Sequence, residues 1–157
     1  GDPVEAKWLH GLAAGPDGSL YYAEKESVRR IDAEGNVSTV AEDIPLTDCG
    51  KPPAGPDHRG GPILRSLAVA KDGTIYVAAM ACNALLRITP KGEVSVAVEA
   101  EAPWAAAGVA LRGDDVYVLE FKYIDVEAAR EWLPRVRKLT PDGQVTELVT
   151  ITAVPEE

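Results

Sequence analysis

Four residues of this chain have side chains that could do chemistry together: His10, Glu24, Arg65 and Glu120. Carboxylates with an imidazole can hold a divalent cation or exchange a proton, and a guanidinium can orient an anionic group. Converging charges also form plain ion-pair networks, so the alternative is that His10 and Arg65 neutralise the two glutamates. We predict all four as ligand-binding candidates, with Glu24 and Glu120 as metal ligands and Ca²⁺ or Mg²⁺ as the divalent cation. The residues assign no catalytic group.

A pattern that occurs three times along the chain positions these residues. Each copy has a small apolar strand, an Asp or Gly turn, an aromatic strand, a strand ending in basic and aliphatic residues, a Gly turn and a fourth strand. The small apolar strands open at His10, Arg65 and Ala107, and the aromatic strands end at Glu24, Ala79 and Glu120. Four short strands per unit are typical of the blades of a β-propeller. We expect both sets of residues to point toward the upper mouth of the central channel.

The chain resembles the NHL-repeat propellers and the wider six-bladed group of SMP-30/gluconolactonase-like, strictosidine synthase-like and virginiamycin B lyase-like proteins. The most similar stretches are residues 15–21, 27–31, 81–92 and 134–143. The resemblance implies an all-β fold, a β-propeller of NHL-like four-stranded antiparallel blades with three blades in this chain. The expected blades lie at about 10–44, 65–100 and 107–151, so residues 1–157 would form a single half-propeller.

The resemblance implies several functions, because propellers host many unrelated activities. Gluconolactonase-like proteins surround a divalent metal with a Glu at one inner-strand start and with Asn and Asp from other blades, a pattern that is not reproduced here. Virginiamycin B lyase-like proteins use a His and a Glu with magnesium, which His10 with Glu24 or Glu120 could mimic. The leading interpretation is a binding or scaffold module for a small molecule, peptide or protein. The alternatives are a metal-assisted lactonase or lyase, and a structural half of a larger propeller without activity of its own.

Three blades cannot close a ring, since propellers have about four to eight. The missing blades could come from a second copy of this chain, from another chain, or from the rest of a longer protein. A two-fold dimer would cover both exposed sheet faces and restore a six-bladed ring. We therefore expect the partner to be the chain itself or a missing half-propeller.

The long connections are predicted to lie at one end of the blades. They are residues 41–64, 99–106 and 120–134, whereas the turns at the other end are short. Long loops on a rigid scaffold commonly carry binding sites, so this end is the predicted working face. Within it, residues 126–133 could form a short helix that Pro134 stops, acting as a lid or rim or as an insertion without function.

Two cysteines, Cys49 and Cys82, are expected at the same end of neighbouring blades. Two cysteines without a second pair do not suit a zinc cluster. A disulfide and two separate thiols both remain open. A bridge would favour a secreted or periplasmic location. Asp57 and His58, adjacent in the first long segment, form a second candidate pair, although neighbouring loop residues commonly serve solvation or turns.

Composition narrows the class of partner. The formal net charge is -9, with 16 basic and 25 acidic residues. This balance disfavours nucleic acid and anionic membrane surfaces. An apolar content of 46% can form a core, and no apolar run approaches the roughly 20 residues of a membrane-spanning helix. The expectation is a folded, soluble repeat protein.

Overall fold

Three four-stranded antiparallel sheets form the described part of the protein, and each follows the chain order of its strands. The computed structural model describes residues 9–24, 26–42, 44, 63–126 and 129–151, and for residues 124–126 and 129–131 the backbone only. Blade one contains β1 (Leu9–Ala14), β2 (Leu20–Glu24), β3 (Ser27–Ile31) and β4 (Val37–Ala41). Blade two contains β5 (Leu64–Val69), β6 (Ile75–Ala79), β7 (Ala84–Ile88) and β8 (Val94–Glu99), with a 3₁₀ helix at Met80–Cys82. Blade three contains β9 (Ala105–Arg112), β10 (Asp115–Val126), β11 (Ala129–Leu139) and β12 (Val145–Thr150). No helix in the described ranges is long and apolar enough to cross a membrane.

The predicted turns between these strands are present. Asp72 Oδ1 accepts a hydrogen bond from the backbone N–H of Thr74 at 2.9 Å, which is the local bond that makes Asp favourable in turns. In the turn between β7 and β8, Gly92 has a φ of 85°, a conformation that glycine adopts without steric cost. A Cβ on Gly92 would lie 2.7 Å from the carbonyl oxygen of Val40 in blade one. The turn therefore also packs closely against the preceding blade.

The core consists of apolar layers between neighbouring blades. Successive side chains of a strand point to opposite faces of its sheet. In β6, Ile75 and Val77 pack into the layer shared with blade one. Ala78, with the partly buried Tyr76, packs into the layer shared with blade three. Full burial of an Ile or Val side chain contributes roughly 1.5–3 kcal/mol, so each blade is stabilised mainly by the blades beside it.

The first strands of the blades lie side by side, as expected for strands that line a central channel. A Cβ on Gly11 of β1 would lie 2.6 Å from the carbonyl oxygen of Arg65 on β5. The backbone N–H of Val109 on β9 donates to Ser66 Oγ of β5 at 3.3 Å. The register of each first strand shifts close to these contacts. Small residues at these positions allow the close approach that the sequence pattern indicates.

The prediction of a helix at 126–133 is wrong: residues 127 and 128 lie outside the described part of the chain, and the residues described on either side of them are strands. β10 and β11 continue as paired strands, in register from Val116 opposite Leu139 to Val126 opposite Ala129. An isolated helix of this length is marginal in water because its first turn is costly to form. Extending an existing strand pair adds ladder hydrogen bonds and cross-strand contacts instead. We call residues 121–126 and 129–134 the β10–β11 extension.

Candidate functional site

An ion pair recurs at the same position in blades one and three. In blade one, Arg29 Nε on β3 donates to Glu24 Oε2 on β2 at 3.2 Å. In blade three, Arg137 Nε on β11 donates to Glu120 Oε2 on β10 at 3.0 Å. Each glutamate comes from a second strand and each arginine from the third strand beside it. Both predicted metal ligands therefore bind an arginine of their own blade.

Glu120 is the centre of a buried charge cluster between blades two and three. Its side chain is 1% exposed. Arg135 Nε donates to Oε2 at 2.6 Å, and Arg137 Nη2 donates to Oε1. Arg137 Nη2 also donates to the backbone carbonyl of Glu99, at the end of β8, at 2.7 Å. Planar guanidinium groups bind carboxylates strongly through such paired contacts, so this arrangement favours a structural role for Glu120, fastening blade three to blade two.

Trp104 supports the base of the β10–β11 extension. This residue is 9% exposed and lies in the connection between β8 and β9. The guanidinium carbon of Arg135 lies 4.2 Å from its ring centroid, and Lys122 Nζ lies 4.8 Å from it. Cations at these distances are attracted to the face of an indole ring. Trp104 therefore contacts Lys122 within the extension and Arg135 one residue beyond its end. Because Arg135 also binds Glu120, Trp104 joins the base of the extension to the Glu120 cluster.

Three aromatic rings pack together beyond that base. The Trp132 ring centroid lies 4.6 Å from that of Phe121 and 4.3 Å from that of Tyr123. Phe121 and Tyr123 meet edge to face at 5.5 Å. Phe121 is buried, whereas Trp132 is 56% exposed. The extension thus presents a large aromatic surface whose position is fixed by the rings beneath it.

His10 and Arg65 lie on neighbouring first strands, close to the register shifts of β1 and β5. His10 is half-buried and Arg65 is exposed. His10 is paired with Ala23, and Glu24 is paired with Leu9. Opposed residues share a face of a sheet and successive residues alternate, so His10 and Glu24 lie on opposite faces of blade one. Within one chain, the backbone geometry does not make them a converging His–Glu pair.

The metal site stays a prediction. Among the residues that the structure describes, no three His, Cys, Asp or Glu side chains come together in a way that could hold an ion. Glu24 and Glu120 belong to different blades and each carries its own arginine. A Ca²⁺ or Mg²⁺ site at these two residues would need ligands from outside that set.

Several predicted residues fall outside the described part of the chain. They are Cys49, Asp57 and His58. Cys82 is disulfide-bonded and lies at the end of the 3₁₀ helix in blade two. The pairing of Cys82 with Cys49 and its implication for location stay predictions.

Sequence reasoning missed the residues that organise this end of blade three. The repeat did contain a signal for one of them, because Arg29 and Arg137 occupy equivalent third-strand positions, as Glu24 and Glu120 do on the second strands. A comparison of the two columns would have indicated the ion pairs. Trp104 and Arg135 have no such repeat signal. Trp104 lies in the connection between β8 and β9, and the position of Arg135 on the third strand is a serine in blade one and an alanine in blade two.

Similar solved structures identify the architecture. A streptogramin B lyase structure matches with a TM-score of 0.63 at 16% identity, covering 98% of this chain and 43% of that chain. A gluconolactonase from Xanthomonas campestris matches with a TM-score of 0.64 at 14% identity, covering 93% of this chain and 48% of that chain. The fold is that of a β-propeller. A virginiamycin B lyase from Staphylococcus aureus matches with a TM-score of 0.53 at 14% identity, covering 88% of this chain and 54% of that chain.

The predicted all-β propeller fold and its resemblance to gluconolactonase-like and virginiamycin B lyase propellers are therefore confirmed. No family model matches the sequence. No curated protein matches it either. The propeller chain spans about half the length of these structures. It covers 43% of the streptogramin B lyase and 48% of the gluconolactonase. Because propellers carry many unrelated activities, this likeness establishes architecture and leaves activity to be argued from the residues.

Proposed function

We propose that this propeller chain is a binding module and that the β10–β11 extension carries its main contact surface. The observation that supports this is the difference between equivalent strands. β2 ends at Glu24, whereas β10 continues past the equivalent Glu120 to Val126. The added strand pair bears an exposed tryptophan, Trp132. Elements that project from a rigid propeller are well placed to contact a partner.

The anchoring of the extension supports this role. Glu120 holds Arg135 and Arg137, and Trp104 holds Arg135 and Lys122. A surface that is rigid before binding loses less conformational entropy when a partner docks. The base of the extension is therefore preorganised, while Trp132 remains accessible.

The shape of the surface favours a peptide or protein among the ligand classes that the sequence predicts. Small-molecule sites are usually concave pockets that enclose most of the ligand. A projecting pair of strands instead offers an aromatic side chain to a larger partner. Tryptophan is among the residues that most often dominate the binding energy of protein interfaces. We therefore propose that Trp132 inserts into an apolar pocket or stacks against an aromatic group of a peptide or protein.

The first test uses a random peptide-display library panned against the purified protein. Trp132→Ala should raise the Kd of the selected peptides about 30-fold or more, which is the effect of losing an interface residue that contributes about 2 kcal/mol to binding. Titration calorimetry or fluorescence anisotropy with a synthetic peptide would measure the change in Kd.

The matched control is Val96→Ala. Val96 is also an exposed apolar residue, 52% accessible, but it lies on β8 at the outer edge of blade two. Its truncation should leave the Kd within about two-fold of the parent value, as for residues outside a hot spot. Peptides that bind Trp132→Ala as tightly as the parent protein would contradict the proposed surface.

A metal-assisted lactonase or lyase is the second candidate. The observation in its favour is that the similar structures include a gluconolactonase and a streptogramin B lyase. The arginine contacts of Glu24 and Glu120 favour the binding module. Base consumption in a pH-stat, with gluconolactone and millimolar Mg²⁺ or Ca²⁺, separates the two. Metal-dependent turnover that EDTA abolishes would replace the binding module with the enzyme.

A further inference from the structure

The two outer sheet faces, one on blade one and one on blade three, carry apolar residues at the same positions as the faces that pack between neighbouring blades. The leading face of blade one comprises Leu12, Leu20, Tyr22, Ile31 and Val37. Their equivalents in blade two, buried or partly buried in the layer against blade one, are Leu67, Ile75, Val77, Ile88 and Val94. The trailing face of blade three comprises Tyr117, Leu119, Val136, Leu148 and Val149. Their equivalents in blade two, in the layer against blade three, are Tyr76, Ala78, Leu85, Ala97 and Val98.

Exposure separates the outer faces from their internal equivalents. Leu12 is 67% exposed on the leading face, whereas the equivalent Leu67 is 4% exposed. On the trailing face Val149 is 47% exposed, whereas the equivalent Val98 is 4% exposed. Contiguous apolar surface of this kind marks an interaction site. Within the chain, each apolar layer packs the trailing face of one blade on the leading face of the next.

The Glu24–Arg29 pair on the leading face of blade one is equivalent to an ion pair that lies at the contact between blades two and three. Its equivalent, Glu120–Arg137, is completed by the neighbouring blade, because Arg137 Nη2 donates to the carbonyl oxygen of Glu99 at 2.7 Å. Glu99 is the last residue of β8, and its equivalent at the end of β12 is Thr150. Arg29 in blade one and the carbonyl of Thr150 in blade three are thus equivalent to the donor and the acceptor of the hydrogen bond between Arg137 and Glu99.

We propose that a second copy of this chain covers both faces, with the trailing face of each copy packed on the leading face of the other. A two-fold rotation brings both junctions together at once and closes the assembly. The chain covers 43% and 48% of two similar propeller structures, so one copy supplies about half of a propeller of that size. This inference goes beyond the binding module, whose extension lies within a single chain.

The proposal makes specific contacts at the junction. Arg29 donates to the carbonyl oxygen of Thr150 of the second copy, as Arg137 does to Glu99 within one chain. Glu24 becomes buried as Glu120 is, and Leu12 and Leu20 enter a layer with the second copy's Leu119 and Val149. The ring also places two His10 and two Arg65 residues around one channel, so the channel site is incomplete in one chain.

The test is the mass in solution, measured by light scattering and sedimentation across protein concentration. A mass near twice 16.7 kDa is expected for the parent protein. Leu12→Asp and Leu119→Asp each place a charge in both junctions, and each should raise the dimer dissociation constant roughly 100-fold or more. Val96→Asp puts the same charge on an exposed apolar site of blade two, away from both faces, and should leave the mass unchanged.

Every other result overturns the proposal. A parent protein that stays monomeric at high concentration lacks the junction, and a mass that grows beyond the dimer indicates an open chain of copies. A dimer that both end-face variants leave intact uses another surface. A natural chain that carries further blades of this repeat would close the ring with its own residues. The parent mass decides the matter even where an end-face variant fails to fold.

Discussion

Among individual side chains, Glu120 has the clearest structural role, because its buried carboxylate binds both Arg135 and Arg137. Arg137→Ala would leave the carboxylate with one arginine and the carbonyl of Glu99 without its donor. Breaking a buried ion pair costs about 3 kcal/mol or more, so we expect the midpoint of urea unfolding to fall markedly. The control is Arg30→Ala, which removes the exposed pair with Asp17 and should change the midpoint little. Equal losses in the two variants would show that burial does not set the strength of the Glu120 cluster.

The same residues show how far the sequence could predict the site. The repeat placed Glu24 and Glu120 at equivalent positions, and the structure keeps them equivalent. The positions of the two glutamates in the repeat do not indicate their arginine partners. Each arginine lies on the adjacent strand, and the register between the two strands decides which side chains meet. His10 illustrates the reverse case. His10 and Glu24 are both predicted to point toward the channel mouth, but alternation along β1 and β2 places the two on opposite faces of blade one.

At the element scale, the turns make a testable contribution to stability. The pKa of Asp72 is lowered, chiefly because the backbone N–H of Thr74 donates to its carboxylate. A carboxyl group with a lowered folded-state pKa stabilises the fold above its unfolded-state value, near pH 4, and loses that contribution as the pH falls through the folded-state value. Asp72→Asn should therefore be less stable than the parent at pH 7, with the difference shrinking below about pH 4. Denaturant unfolding at pH 7 and at pH 3 measures it. A difference that is the same at both pH values would exclude this titration as its cause.

The elements themselves follow from the sequence to different degrees. Asp–Gly and Lys–Gly turns between short strands predicted the three meanders, because turn residues and alternation are local signals. The β10–β11 extension was missed since its residues also suit a short helix. Its strands are decided by the ladder that they continue and by the contact of Trp132 with Phe121 and Tyr123. These contacts join residues of two strands, so the sequence of either strand alone does not indicate them.

At the scale of the whole molecule, stability should depend on protein concentration. If each end face is covered by a second copy, dimerisation stabilises the folded state by mass action, and the melting temperature rises with concentration. Arg29→Ala removes the donor proposed to reach Thr150 of the second copy, whereas in a single chain Arg29 is 32% exposed and binds Glu24 on its own blade. We therefore expect the variant to melt well below the parent at high concentration and close to it at low concentration, where both are monomers. Differential scanning calorimetry provides the measurement. A protein concentration range of about a hundredfold is wide enough to change the dimeric fraction substantially. A constant difference between variant and parent at all concentrations would make Arg29 a residue of blade one alone and remove it from the junction.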